Sequence, residues 1–150
     1  FFFTAEVKSV TPQPIGEDQV ITLESIQKDW TATEAIVIRT LPNSIKKLCR
    51  QYSNSNPPYL QKEAAQFLKE QDVKHLLIDL PSVDKEVDGG LLAAHHNFWD
   101  HPEKTRFDST ITELIYVPDE VEDGSYLLNL SFAPFDNDAS PSRPTLYKIC

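Results

Sequence analysis

Two short runs of unbroken apolar residues constrain this chain more than anything else in it: Ala35-Ile36-Val37-Ile38 and Leu76-Leu77-Ile78. Successive side chains of a strand point to opposite faces, so a run with no polar member offers neither face to water. Each run therefore reads as a strand buried on both sides. Between them, residues 60–71 (LQKEAAQFLKEQ) place Leu60, Ala64, Phe67 and Leu68 at the i, i+4, i+7, i+8 spacing of an amphipathic helix. Strand, helix and strand in that order make a crossover unit, which implies a right-handed connection between parallel strands. The expected fold class is thus α/β, with a mixed sheet and a crossover helix.

The remaining elements fit around that unit. Residues 1–10 alternate loosely through Phe3, Ala5, Val7 and Val10 as a strand would, and Pro12, Pro14 and Gly16 break the pattern. Thr22 is the predicted N-cap of a short helix, LESIQKDW, with Leu23, Ile26 and Trp30 on one face. Residues 41–59 form a connection longer than the ~12–15 residues usual for a loop, which points to a lid or a subunit-contact loop. His75 opens the second buried strand and reads as structural. Beyond Pro102, which stops any helix, 103–110 reads as a loop. Strands are predicted over 111–117 (ITELIYV), 126–133 (YLLNLSFA) and 145–149 (TLYKI), so the second half is strand-rich.

Size and charge narrow the function. One domain spanning 1–150 is long enough to bury an ordinary core, and 40% hydrophobic content argues for a folded chain. A net charge of -9 excludes a phosphate backbone as a natural partner, since that needs a basic face. Cys49 and Cys150 lie far apart without CxxC spacing, so a reducing, cytoplasmic setting is expected and a disulfide framework is not. No apolar run approaches the ~18–20 residues that span a bilayer, and no signal-peptide pattern is visible. The opening Phe1-Phe2-Phe3, with no Met anywhere, raises the expectation that something upstream is absent.

Chemistry concentrates between Lys74 and His101 (KHLLIDLPSVDKEVDGGLLAAHHNFWDH), where a buried strand runs into an acidic loop and a segment with three of the four histidines. Imidazole and carboxylate are common ligands of first-row metals. Spacing alone does not make a site: His95 and His96 would point about 100° apart on a helix. His95 and His101 also miss the i, i+4 spacing of a helical pair. Glu113 lies within an apolar strand pattern and by alternation shares a face with Ile111 and Ile115. A buried carboxylate needs a partner. A metal is one, and a salt bridge to Arg39 or Arg143 is another. Arg39 itself is either a surface charge or a group aimed into a site. Asp79, Ser82 and Asp84 either shape a site wall or cap a strand-end turn.

An ordered set of motifs adds to this reading: IVIRT (36–40), the helix EAAQFL, LLIDLPSVD (76–84), the AHH of 94–96, ITEL (111–114), DGSYLLNL and ASPSRPTLY. Together they resemble the cyclase family of metal-dependent hydrolases, which includes kynurenine formamidases (arylformamidases) and isatin hydrolases. The resemblance implies a compact fold of swivelling β/β/α character, a dimer or tetramer, and hydrolysis of an amide-type C–N bond in a small amide or lactam. It places metal ligands on His95 and Glu113, with His101 supporting, and Asp79, Ser82, Asp84 and Arg39 around them. Zinc is the first expectation for the metal and manganese the second. The family's N-terminal H-x-G-T-H-x-D motif, which carries the other ligands and the catalytic base, is not in this sequence. The resemblance therefore implies the C-terminal half of a metal site with no catalytic residue of its own in the chain. A non-catalytic binding or assembly module on the same scaffold is the alternative.

Overall fold

The computed structural model describes residues 1–149. Its main sheet has six strands in the order β7-β6-β4-β1-β8-β9. In chain order these are β1 (Phe2–Val10), β4 (Ala35–Thr40), β6 (His75–Ile78), β7 (Thr110–Thr112), β8 (Gly124–Phe132) and β9 (Ser142–Lys148). The first four run parallel, and β8 and β9 add two antiparallel strands at one side. The sheet is therefore mixed. A second, three-stranded sheet is made of β2 (Gln13–Ile15), β3 (Asp18–Ile21) and β5 (Tyr59–Leu60).

The two apolar runs form the centre. Ile36, Ile38, Leu76 and Ile78 face a core shared with Ile26 of helix α1 (Leu23–Gln27), Ala64, Ala65 and Leu68 of α2 (Lys62–Glu70), and Phe98 of α3 (Ala93–Trp99). Ala35, Val37 and Leu77 face the other way, into a second cluster with Val7, Val117, Tyr126 and Leu128. Both faces are covered, which is why no polar residue interrupts either run. β4 and β6 are parallel neighbours joined through α2, as the crossover pattern requires. Thr22 caps α1 by accepting the Ser25 amide at 3.3 Å.

Several boundaries differ from the sequence expectations, each for a local reason. α1 stops at Gln27, short of Trp30, because Asp29 takes a left-handed backbone (φ 52). α2 starts at Lys62, because Leu60 is drawn into β5 alongside β3 and the Gln61 side chain instead accepts the Leu23 amide at 2.9 Å. β1 ends at Val10, just before Pro12, as the pattern predicts, but Pro14 lies inside β2 rather than ending strand structure. Ile15 pairs with Asp18 across Gly16 and Glu17, a two-residue hairpin turn with Gly16 at φ 62. The strand expected over 111–117 ends after Thr112, and Leu114 turns left-handed at φ 56. Glu113 therefore sits just beyond a strand end rather than on a core face. The long 41–59 connection folds into a 3-10 turn over Ile45–Cys49 before reaching β5. Cys49 is exposed with a free thiol, and Cys150 lies outside the described residues. Among the described residues no helix is long and apolar enough to cross a membrane.

Candidate metal centre

The carboxyl ends of parallel strands are where α/β sheets build their sites, because the loops leaving them converge there. The loop after β6 carries Pro81 to Asp88, α3 follows it, and Glu113 leaves the end of the neighbouring β7. Helix α3 begins without a side-chain cap of its own, since Leu92 occupies the cap position with a left-handed backbone. Asp84 replaces the missing cap. One of its oxygens accepts the Ala94 amide at 2.5 Å, and the other accepts the His95 amide at 3.2 Å. That second oxygen also lies 2.6 Å from His95 Nδ1. Asp84 is buried. Burial pushes its carboxyl pKa up, but the bonds from the His95 ring and from the Ala94 and His95 amides outweigh this and hold it below the ordinary carboxylate value. Ser82 accepts the Asp84 amide at 3.1 Å, which shapes the turn that presents the carboxylate.

With Nδ1 engaged, the other ring nitrogen of His95 faces Glu113. His95 Nε2 lies 3.6 Å from Glu113 Oε1, and that oxygen is fixed by accepting the Val83 amide at 2.8 Å. The 3.6 Å gap lies just outside hydrogen-bond reach. It is close to the ~3.4 Å separating two ligands held about 2.1 Å from one tetrahedral centre. Both side chains are partly open, 16% and 28% exposed, onto a cavity of about 780 Å³ that Trp99, Tyr116, Phe132 and Arg143 also line. The Trp99 ring stands 5.1 Å from the His95 ring and forms an apolar wall beside it. The donor types suit zinc or manganese, but the set is incomplete. Among the described residues no group of three or more His, Cys, Asp or Glu could by itself hold a metal ion.

The other candidate residues divide sharply. Ser82 and Asp84 belong to this site, through the turn and through His95. His101 does not support it: its Nδ1 meets Thr105 Oγ1 at 3.0 Å on the exposed stretch past α3, and its ring neighbours His96. Arg39 is buried, but neither at the surface nor in the cavity. Its guanidinium donates to Ser9 Oγ (2.8 Å), Pro118 O (2.8 Å), Val121 O (2.7 Å) and Asp123 (2.9 Å), none of which lines the cavity. Asp79 is likewise spent elsewhere, accepting the Thr40 amide and hydroxyl and the Lys47 ammonium at 2.7 Å. Neither Arg39 nor Arg143 pairs with Glu113. His75 is structural, bonded to Thr110 and packed on Phe3. Trp99 was not foreseen as a site residue, although its i+4 spacing from His95 on one helix face was a readable signal.

The chain matches known proteins over this same architecture. The Cyclase family model ("Putative cyclase") matches residues 1–85. Kynurenine formamidases of Bacillus cereus and Bacillus anthracis are each 38% identical over 93 residues, 61% of this chain. That match spans 41% of the relatives' own length. Among solved structures, a potential metal-dependent hydrolase with cyclase activity superposes with a TM-score of 0.71 at 17% identity, over 97% of this chain and 64% of that one. An isatin hydrolase bound to the product analogue thioisatinate superposes with a TM-score of 0.64 at 15% identity, over 94% of this chain and 58% of the other. At such identities the likeness is one of fold.

Proposed function

The chain belongs to the cyclase family, and from that premise we propose that it supplies two ligands, His95 and Glu113, to the metal centre of a hydrolase acting on an amide-type C–N bond. The observation that carries this reading is the 3.6 Å approach of His95 Nε2 to Glu113 Oε1 at the edge of a shared cavity. The matched proteins are described as metal-dependent hydrolases, kynurenine formamidases and isatin hydrolases, which supports a small amide or lactam as substrate. Zinc is the proposed metal, with manganese as the second choice for the same ligands.

A divalent cation, when bound there, supplies positive charge that acidifies water and polarises a carbonyl. The chain's own residues hold and orient the two ligands. Asp84 holds the His95 ring from behind, Val83 N holds Glu113, and the Trp99 face narrows the water-accessible side. Two ligands are fewer than a catalytic site uses. The proposal therefore assigns the remaining ligands and the base to residues beyond those described, or to another copy of the chain in a homo-oligomer. The incomplete ligand set also keeps a second reading in view, a non-catalytic binding module on the same scaffold.

Zinc titration of the chain, and of the longest protein that contains it, tests the assignment. His95→Ala and Glu113→Ala should each weaken binding at least tenfold. Unchanged affinity in both variants rules out the ligand assignment. Zinc binding without hydrolysis of any aryl formamide or lactam by the longest protein favours the binding module.

A further inference from the structure

We infer that Asp84 is a positioning residue for His95: its carboxylate dictates which imidazole nitrogen keeps the proton and therefore which one is free to face Glu113. This rests on the reading of His95 as a ligand and adds a residue to it. The carboxylate cannot swing away, because Ala94 N and His95 N, two amides at the start of α3 without partners in the helix, hold it at 2.5 and 3.2 Å. An ionised carboxylate only accepts hydrogen bonds. The 2.6 Å contact with His95 Nδ1 therefore requires the proton to be on Nδ1. A neutral imidazole has one lone pair, which is then left on Nε2, the atom 3.6 Å from Glu113. Asp84 thus does two jobs with one group. It caps the helix that carries His95, and it selects the tautomer able to bind a cation.

The two jobs separate on substitution. In Asp84→Asn the single carbonyl oxygen still suits the backbone amides, which leaves the NH2 group facing Nδ1. An NH2 donates, so it favours the tautomer with the proton on Nε2 and removes the lone pair from the cavity. Asp84→Ser retains helix-capping chemistry with no carboxylate.

Imidazole 15N–1H NMR on the metal-free chain, at alkaline pH where the ring signals no longer change with pH, reads the tautomer directly. The wild type should show His95 with the proton on Nδ1. Asp84→Asn should show mostly the Nε2–H form, and Asp84→Ser a mixture. Zinc affinity should fall roughly 10- to 100-fold in the Asn variant, the usual effect of losing a partner behind a ligating histidine. A wild-type His95 protonated on Nε2 overturns the inference at once. So does an unchanged Nδ1–H population in whichever variants fold, because a mere helix cap would leave the tautomer alone. Failure of His95→Ala to weaken zinc binding would instead sink the ligand assignment while leaving the tautomer result standing.

Discussion

Replacing Arg39 with Ala tests how the structure uses a buried cation with four hydrogen bonds. The side chain is 8% exposed and makes four hydrogen bonds, two of them to the carbonyls of Pro118 and Val121. Asp123 is 48% exposed and also accepts from the Ser9 amide and hydroxyl, so it regains water and keeps other partners when the guanidinium goes. The ion pair itself then accounts for about 1 kcal/mol or less. The two carbonyls lose charged donors, at roughly 1–3 kcal/mol each to the extent that they stay buried. Relaxation of the 118–123 loop toward solvent removes part of that sum. The expected loss is about 3 kcal/mol, which corresponds to a fall in Tm of roughly 6–12 °C for a domain of this size. Urea and thermal unfolding of Arg39→Ala measure it. Arg39→Met, which keeps the buried stem, and Asp123→Asn separate packing from charge, and the latter should cost about 1 kcal/mol. Zinc affinity should be unchanged in the Ala variant. A loss below 1 kcal/mol, or a selective loss of zinc binding with stability intact, refutes the reasoning and returns Arg39 to the site.

Two further outcomes follow from buried groups. Phe98 is fully buried on the face of α3 that packs against the sheet, with the Arg106 guanidinium 5.5 Å above its ring. Phe98→Ala should cost about 3–5 kcal/mol by urea unfolding and weaken zinc binding as well, because the same helix positions His95; a loss under 1 kcal/mol would show that the core there is not packed as described. Burial lowers the pKa of His75, partly offset by Glu34 and Asp108, so the unfolded chain takes up its proton first as pH falls. Its stabilising contribution is complete above about pH 6.5 and is lost as pH drops through the lowered folded-state value. The depressed Asp84 carboxyl acts only below about pH 4. The slope of the urea midpoint between these limits should therefore flatten in His75→Gln, and an equal slope in both proteins would contradict the assignment.

What the sequence made legible followed from periodicity. Ala35–Ile38 and Leu76–Ile78 could only be doubly buried strands, and the spacing of Ala64, Phe67 and Leu68 could only serve a helix beside them. The hairpin Gln13–Ile21 was hidden because Pro12 and Pro14 look like breakers; on an edge strand a proline without an N–H is tolerated. Glu113 does come within 3.6 Å of His95, but from a different kind of backbone than alternation implied. Its alternation with Ile111 and Ile115 suggested a continuing strand, whereas the left-handed turn at Leu114 ends the strand and frees the side chain. Arg39 and Asp79 show the limit of reading charges near a strand end. Both lie at such ends, and each is consumed by loops whose return path no local pattern reveals: 117–123 for the first, the Lys47 turn for the second. His101 resembled a second donor only in sequence distance. Past α3 the chain turns at Asp100, in a left-handed conformation, and carries His101 toward Thr105 instead.

Anomalous diffraction at the zinc edge, from crystals of the chain grown with excess zinc, addresses the shared-cation proposal most directly. The account predicts a peak about 2.0–2.2 Å from both His95 Nε2 and a Glu113 oxygen. A peak on His96 and His101 alone, or none between His95 and Glu113, would contradict it.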